Sequence, residues 1–183
     1  MVFQSRDMNT ECNLHIGSLN VRGITDKVKR TSVFSWIRKN KFDITMLQET
    51  YSEVKNENIW KNEWEGDILF AHGSKHSRGV AVLFKQGLNY VIKKKHIDEN
   101  GFSIIISIEI DDHIFNLVNV YVYMPNSQKD KKTFFSGLEF KFDTLNISTN
   151  SQNILGGDWN CIFDISVDKA GGRSSSNNIV TKK

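Results

Sequence analysis

The chain has 183 residues, a formal net charge of +3 at neutral pH, and 25% charged against 39% apolar side chains. This length suits one domain with a two-layer core, and the composition argues against a disordered or fibrous protein. No apolar run could span a bilayer, and residues 1–11 lack the apolar core of a secretory signal, so we expect an intracellular protein, nuclear or cytoplasmic. The two cysteines, Cys12 and Cys161, fit neither a disulfide framework nor a zinc spacing, which favours a reducing compartment.

The expected domain boundaries follow from the polar, aperiodic ends of the chain. We expect a polar leader over 1–13, one domain over 14–170 and a polar tail over 171–183. Within the domain, lysines and arginines form short clusters. Such clusters fit contact with a polyanion, although a solvated face is the commoner explanation for any one of them. The clusters are Lys27 with Lys29 and Arg30, Arg38 with Lys39 and Lys41, Lys93–Lys95, and Lys129 with Lys131 and Lys132.

The first third of the domain predicts a strand, a helix and a second strand, the order of a βαβ unit. Both strands end in polar residues, Asn20 near the end of the first and Glu49 near the end of the second, so the two side chains fall at equivalent strand ends. The helix starts after Thr25 or Asp26, either of which can cap it, and ends at Asn40. The strands cover Leu14–Leu19 and Phe42–Leu47, and the apolar helix positions are Val28, Val33, Phe34 and Ile37, with charged residues on the opposite face.

The middle of the chain predicts a series of short strands. Residues 51–64 are polar, and we assign them to a loop with one short helix. Four strands follow, and Asp111-Asp112 then makes a tight turn into a longer strand, His113–Tyr123, which is stopped by the chain's single proline, Pro125. The four strands cover Ile68–Ala71, Val80–Phe84, Tyr90–Ile92 and Phe102–Ile110, and one face of the longer strand carries Phe115, Leu117, Asn119, Tyr121 and Tyr123.

The last predicted elements are an amphipathic helix, Lys129–Leu145, and a strand that begins at Ile154 and runs into Gly-Gly-Asp-Trp-Asn. Asp158 and Asn160 stand two positions apart, so in extended backbone both side chains face one pocket and can hold a water there. The same residues also fit a strand followed by an Asx turn, and the motif alone does not decide between the two. The mixture of strands and helices predicts an α+β fold with two sheets.

Polar groups therefore gather at the predicted strand ends. The sequence has no nucleophile-elbow serine, no HExxH zinc motif and no P-loop, so serine, zinc and nucleotide-cradle chemistry are unsupported. Oxygen ligands with few carboxylates suit Mg²⁺, because this ion keeps several waters and takes further oxygens from a phosphate substrate. The strand-end groups are Asn20, Glu49, Tyr123 with Asn126, and Asp158 with Asn160.

Five segments of the chain resemble, in order, the motifs of the endonuclease/exonuclease/phosphatase superfamily, which includes apurinic endonucleases, exonuclease III and deoxyribonuclease I. Arg22 stands where apurinic repair enzymes usually carry an acid, and Asn-Val-Arg-Gly resembles the endonuclease domains of LINE-type non-LTR retrotransposons instead. The segment Asp168–Gly172 also resembles the sequence of those elements. The five segments are Leu19–Gly23, Leu47–Thr50, Arg78–Leu83, Val120–Asn126 and Gly156–Asn160.

The resemblance implies a DNase I-like fold, in which two sheets form a β-sandwich flanked by helices, and Mg²⁺-dependent hydrolysis that nicks DNA, with Mn²⁺ as a substitute ion. The implied partners are DNA and the reverse transcriptase part of the same polyprotein, with no membrane and no small-molecule cofactor. The resemblance implies that Glu49 and Asn20 hold the metal, and that Asp158 and Asn160 orient and activate the attacking water. It also implies that Tyr123, Asn126 and Arg22 bind the substrate. Asn20 and Tyr123 are implied to be catalytic as well.

One departure from the family concerns its final strands, which carry an aspartate and a Ser-Asp-His motif. All five histidines of this chain lie at or before His113, so we expect those strands to be missing and the activity of the chain alone to be weak or absent. Two alternatives stay open: a non-catalytic protein that binds nucleic acid, and a phosphatase or sphingomyelinase-type relative. Taken singly, Tyr123 also fits a core aromatic, Glu49 a surface acid and Asn20 a turn residue.

Overall fold

Two mixed β-sheets stack face to face, and helices cover both outer faces. The computed structural model describes residues 2–4, 13–122, 128–147 and 151–160, with the backbone alone described for 2–4 and 128–131. This α+β sandwich confirms the fold class that the sequence predicts.

The first sheet is mixed, and its second and third strands are parallel because helix α1 (Lys27–Lys39) carries the chain back between them. Asp26 caps α1 by accepting a hydrogen bond from the backbone N–H of Lys29 (2.8 Å), and Asn40 lies at the C-cap, as expected. In spatial order, the strands described for this sheet are β1 (Val2–Gln4), β2 (Asn13–Asn20), β3 (Ile44–Gln48), β5 (Val80–Phe84) and β4 (Asp67–Ala71).

Strand β1 lies within the segment that the sequence analysis expected to be a polar leader. It pairs antiparallel with β2, with Phe3 opposite Leu14, so three residues of the expected leader extend the first sheet. The pairing also gives the outer edge of β2 a neighbour. β2 itself begins at Asn13, one residue before the expected domain boundary.

The second sheet follows chain order, as an antiparallel meander closed by one parallel strand. Asp111 and Asp112, with φ of 47° and 62°, make the predicted tight turn between its second and third strands. Helix α3 (Gln128–Thr144) is the crossover that makes the last pair parallel. The described strands are β6 (Val91–Ile97), longer than predicted, β7 (Ser103–Ile110), β8 (His113–Tyr121) and β9 (Gln152–Asp158).

Apolar side chains fill three layers. Between the sheets, alternate residues of β7 and β8 pack against β2, β3 and β5, while Ile105 and Val118 point the other way, under Leu138 of α3. On the outer face of the first sheet, α1 and α2 (Glu57–Trp64), which follows a 3-10 turn at Val54–Asn56, contribute Phe34 and Trp60. Within the described part of the chain, no helix is long and apolar enough to cross a membrane.

Two predicted positions on α1 are wrong. Val28, assigned to the apolar face, is 75% exposed, whereas Arg30, assigned to the charged face, is 4% exposed. The Arg30 guanidinium makes two hydrogen bonds to the carboxylate of Glu63 on α2 (2.6 and 2.9 Å) and lies over the Trp60 ring. A buried charge is tolerated here because it is paired and its donors are satisfied.

Parts of the other basic clusters also serve the fold. Arg38 donates to the carbonyl of Trp64 at the end of α2 (3.2 Å), and Lys94 donates to the carbonyl of Leu145 just after α3 (2.7 Å). Each cation therefore satisfies a carbonyl at a helix C-terminus, where the helix dipole also favours positive charge. Both residues remain exposed, so they stabilise the fold and still carry positive charge at the surface.

Candidate active site

Two parallel strand pairs, one in each sheet, end at the same edge of the sandwich. In the first sheet, β2 ends at Asn20 and β3 is followed at once by Glu49. In the second, β8 ends at Tyr121 and β9 at Asp158, and these two residues are register partners. Parallel neighbours end on one side of a sheet, so the crossover helices α1 and α3 bring polar residues from four strands to one place.

Glycines allow the two sheets to approach closely beneath this edge. A Cβ at Gly156 would lie 2.9 Å from Sδ of Met46 and 3.3 Å from Cβ of Ser18, both in the first sheet. Gly157 has φ of 140°, and a Cβ there would overlap the carbonyl oxygen of Val120. A side chain at either position would displace β9. Gly156 therefore lets β9 lie close to β2 and β3, and Gly157 lets it lie close to its neighbour β8.

Asn20 joins two carboxylates that come from different sheets. Its Nδ2 donates to Oε1 of Glu49 (2.8 Å) and to Oδ2 of Asp158 (2.7 Å), while its Oδ1 accepts from the backbone N–H of Arg22 (3.0 Å). This orientation of the amide is the only one that satisfies all three partners, since the carboxylates accept and the N–H donates. The sequence predicted these three side chains to converge, and the structure brings them together.

Glu49 is presented by an unusual backbone. Its φ is 52°, and the nearby residues Tyr51 and Arg22 have φ of 57° and 46°, a left-handed region that costs side-chain-bearing residues about 1–3 kcal/mol each. The carbonyl of Glu49 accepts from the N–H of Gly23 (2.6 Å). The Tyr51 hydroxyl donates to Oε2 of Glu49 (2.9 Å). Both carboxylate oxygens of Glu49 are thus hydrogen-bonded, one on each side.

Tyr121 is a site residue that the sequence analysis did not assign. It is half-buried, and burial together with the charges of Glu49 and Asp158 and hydrogen bonding to Glu49 raises the pKa of its phenol to about 12. Burial, hydrogen bonding to Glu49 and the Glu49 charge also raise the pKa of Tyr51, whereas the Arg22 charge opposes this rise. Both phenols therefore remain hydrogen-bond donors near neutral pH.

Three further residues were assigned to the site from the sequence, Tyr123, Asn126 and Arg22. Tyr123 and Asn126 were assigned from their place at the end of a predicted strand and from the family resemblance, and both lie outside the described residues. The alternation that puts Asn119 and Tyr121 on one strand face is the signal that could have pointed to Tyr121. The backbone N–H of Arg22 donates to Oδ1 of Asn20, and Arg22 itself is exposed.

The two oxygens of the Asp158 carboxylate, at the end of β9, have different hydrogen-bond partners. Oδ1 accepts from the backbone N–H of Asn160 (3.1 Å), which is the Asx turn that the sequence left as an alternative, and Oδ2 is the oxygen that faces Asn20. The side chain of Asn160 donates from Nδ2 to the carbonyl of Val122 (2.9 Å), tying the ends of β8 and β9 together. Trp159 stacks on Phe135 of α3, with ring centroids 6.2 Å apart.

The charge of the site suits a cation. Glu49 and Asp158 share one amide nitrogen, and in the described residues no lysine or arginine forms an ion pair with either carboxylate. The part of the chain that the structure describes contains no group of three or more His, Cys, Asp or Glu side chains with metal-binding geometry. Two carboxylates are an all-oxygen donor set of the size that Mg²⁺ accepts, because this ion retains several waters.

Comparison with known proteins links this architecture to a family and to a mobile element. The model of the Endonuclease/Exonuclease/phosphatase family matches residues 17–168. The transposon TX1 uncharacterized 149 kDa protein of Xenopus laevis is 28% identical over 151 residues, which is 82% of this chain and 11% of that protein. The chain thus spans about a tenth of the length of this relative.

Solved structures share the fold at low sequence identity. An AP endonuclease from Archaeoglobus fulgidus matches with a TM-score of 0.56 and 24% identity, over 81% of this chain and 58% of that chain. A mannosyl-6-phosphatase from Bacteroides thetaiotaomicron matches with a TM-score of 0.56 and 16% identity, over 81% of this chain and 66% of that chain. The segment that the family model matches contains the ends of both parallel strand pairs that carry the site, with every side chain of the convergent site, and the chain belongs to the endonuclease/exonuclease/phosphatase family.

Proposed function

We propose that this chain is the endonuclease part of a retroelement protein, and that it nicks DNA by Mg²⁺-dependent hydrolysis of a phosphodiester bond. The observation that carries the proposal is the single amide nitrogen of Asn20 between the carboxylates of Glu49 and Asp158. The transposon relative supports the retroelement context. The resemblance to LINE-type endonuclease domains makes the reverse transcriptase part of the same polyprotein an expected partner.

The proposed metal-binding group is Glu49. Bound there, Mg²⁺ or Mn²⁺ would supply positive charge against the negative charge that develops at the phosphate. The sequence analysis assigned Asn20 both a metal-binding and a catalytic role, and its hydrogen bonds favour the catalytic role. Its Nδ2 faces the two carboxylates and its Oδ1 is bonded to Arg22, so Asn20 holds Glu49 and Asp158 at a fixed separation.

The proposed water-activating group is Asp158. The N–H of Asn160 anchors Oδ1, so the carboxylate plane is fixed and Oδ2 can orient a water and accept its proton. Asn160 acts in this proposal through its backbone and not through its amide. Tyr121, which hydrogen-bonds Glu49, helps to hold that carboxylate, while Tyr123, Asn126 and the Arg22 side chain remain proposed substrate contacts.

The test is conversion of supercoiled plasmid to the open circle in Mg²⁺ and in EDTA. The chain is assayed alone, where we expect weak or no nicking, and fused to a family-type C-terminal segment, where we expect Mg²⁺-dependent nicking. In the fused protein Asp158→Asn should lower the rate by roughly 10²–10⁴-fold, the usual contribution of a positioned acid or base. Asp43→Asn is the matched control, since Asp43 bonds Lys85 at the far end of β3. A folded fusion that does not nick, or nicks equally with Asp158→Asn, contradicts the proposal.

The same preparations distinguish the two alternatives. A non-catalytic binding protein would retain DNA with a steep dependence on salt and no dependence on Mg²⁺ or Asp158, because counterion release dominates such binding. A phosphatase would release phosphate from a small phosphomonoester and leave the plasmid intact. The burial of Arg30 argues against the first alternative, because it removes one cation from the surface clusters on which that alternative depends.

A further inference from the structure

We infer that Tyr51 is a positioning residue, whose phenol holds the Glu49 carboxylate in place and thereby sets the metal affinity of the site. This inference rests on the proposed function, in which Glu49 binds the metal. Tyr51 lies outside the set of residues for which the family resemblance implied a role. Its assignment comes from the contacts that it makes here.

The first observation is that the Glu49 carboxylate is held from two sides. Oε2 accepts from the Tyr51 hydroxyl (2.9 Å) and Oε1 accepts from Asn20 (2.8 Å). The carboxylate has about four lone-pair positions in all, and Tyr121 also hydrogen-bonds it, so about one position stays free for another partner. A long, flexible glutamate side chain loses up to about 2 kcal/mol of conformational freedom when it is fixed. With both oxygens already bonded, that loss precedes metal binding and does not oppose it.

The second observation is that Tyr51 is itself fixed by its surroundings. Its N–H donates to the carbonyl of Arg78 (3.0 Å), and its φ is 57°. The ring lies against Gly23, where an added Cβ would come within 2.5 Å of the ring carbon Cδ2. Gly23 in turn donates its N–H to the carbonyl of Glu49 (2.6 Å). Tyr51, Gly23 and Glu49 therefore form a closed set of contacts that allows the phenol one position.

The third observation separates Tyr51 from a tyrosine that serves packing. Tyr90 also donates to a carboxylate, that of Asp67 (3.0 Å), but its ring stacks on Phe84 and packs against the inter-sheet core. Among the described residues, Tyr51 belongs to none of the three apolar clusters. The hydroxyl of Tyr51 consequently acts on Glu49, whereas the ring of Tyr90 also stabilises the core.

The experiment measures Mn²⁺ binding to the chain as it stands, by electron paramagnetic resonance of the free ion and with Mg²⁺ as competitor. Tyr51→Phe keeps the ring against Gly23 and removes the hydroxyl. We expect it to weaken Mn²⁺ binding about tenfold, within the 10–100-fold range found when a group that orients a metal ligand is lost. Tyr90→Phe is the matched control, because it removes a phenol–carboxylate bond away from the site, and it should leave Mn²⁺ affinity unchanged. Glu49→Gln should abolish binding.

The outcomes separate this inference from the proposed function. If wild type binds Mn²⁺, Glu49→Gln does not, and Tyr51→Phe binds as tightly as wild type or more tightly, the inference is overturned and the proposed function stands. If Glu49→Gln binds like wild type, or if wild type does not bind, the metal assignment of Glu49 fails and the inference fails with it. A purely structural role would lower the melting temperature of Tyr51→Phe without changing its Mn²⁺ affinity, and that result also overturns the inference.

Discussion

Asn119 offers the sharpest test of how the two sheets are held together. This residue of β8 is completely buried between the sheets. Its Nδ2 donates to the backbone carbonyls of Leu47 (3.0 Å) and Ala81 (2.9 Å), and its Oδ1 accepts from Nε2 of Gln48 (2.7 Å). All three partners belong to β3 and β5, so one side chain of the second sheet makes three hydrogen bonds to the first.

The expected effect of Asn119→Ala follows from these bonds. Each buried hydrogen bond contributes about 1 kcal/mol net, so losing three lowers the free energy of unfolding by about 3 kcal/mol. This is a large part of a total of about 5–15 kcal/mol. Asn119→Asp keeps the volume but places an acceptor where Nδ2 donated to Leu47 and Ala81. It should cost at least as much as Asn119→Ala, which separates hydrogen bonding from the cavity effect.

The assay is urea unfolding followed by the fluorescence of the buried tryptophans Trp60 and Trp64. Asn116→Ala is the control, because Asn116 lies on the same strand and is buried, but makes one hydrogen bond, to Asn153 (2.8 Å). We expect it to cost about 1 kcal/mol. The reasoning is refuted if Asn119→Ala costs no more than Asn116→Ala, with the same dependence on urea concentration.

Two further predictions concern pH and backbone strain. His96 has a buried Nε2 without a partner in the described part of the chain, and burial, helped by the Lys141 charge and opposed by Asp98, lowers its pKa. The folded state therefore has its full stability above the unfolded-state pKa of about 6.5, and stability is lost as pH falls toward the lower folded pKa. Between pH 7 and 5, the melting temperature of His96→Leu should fall less than that of wild type. Gly157→Ala should destabilise by about 2 kcal/mol or more in urea, whereas Gly87→Ala, with φ of 77° and open space around it, should cost about 1 kcal/mol.

Strand alternation in the sequence accounts for much of the fold. The period of two in β8 correctly placed Phe115, Leu117, Asn119 and Tyr121 on one face, because side chains of a strand must alternate. It could not show that Asn119 is buried. The partners of Asn119 are about 40 and 70 residues away in the chain, so its burial depends on how the sheets stack, which no local pattern contains.

The site could be predicted as far as strand ends determine it. Asn20, Glu49 and Asp158 follow apolar strand runs, and the parallel pairing of their strands brings them together. Tyr121 was not identified because the predicted strand end and the family resemblance pointed to Tyr123, while the register of β8 against β9 places Tyr121 opposite Asp158. Register is a tertiary property, and the sequence of a single strand does not specify it.

The burial of Arg30 shows the same limit for helices. On a helical wheel, an arginine beside lysines belongs to the solvent face, since isolated charges are costly to bury. Its partner Glu63 lies 33 residues later, on another helix, and supplies two hydrogen bonds that compensate for burial. Only the packing of α2 beside α1 makes this position internal.

The left-handed backbone at Glu49 and Tyr51 has an evolutionary consequence. Each residue holds a conformation that glycine or asparagine adopts at lower cost, so each weakens the fold that presents it. A related chain released from selection on this site would gain stability by exchanging either residue, while changes in the inter-sheet core would only lose stability. Neutral drift should therefore remove the strained residues of the site first and leave the sandwich intact, so that glycine or asparagine at position 49 of a related chain indicates that selection on the site has been lost.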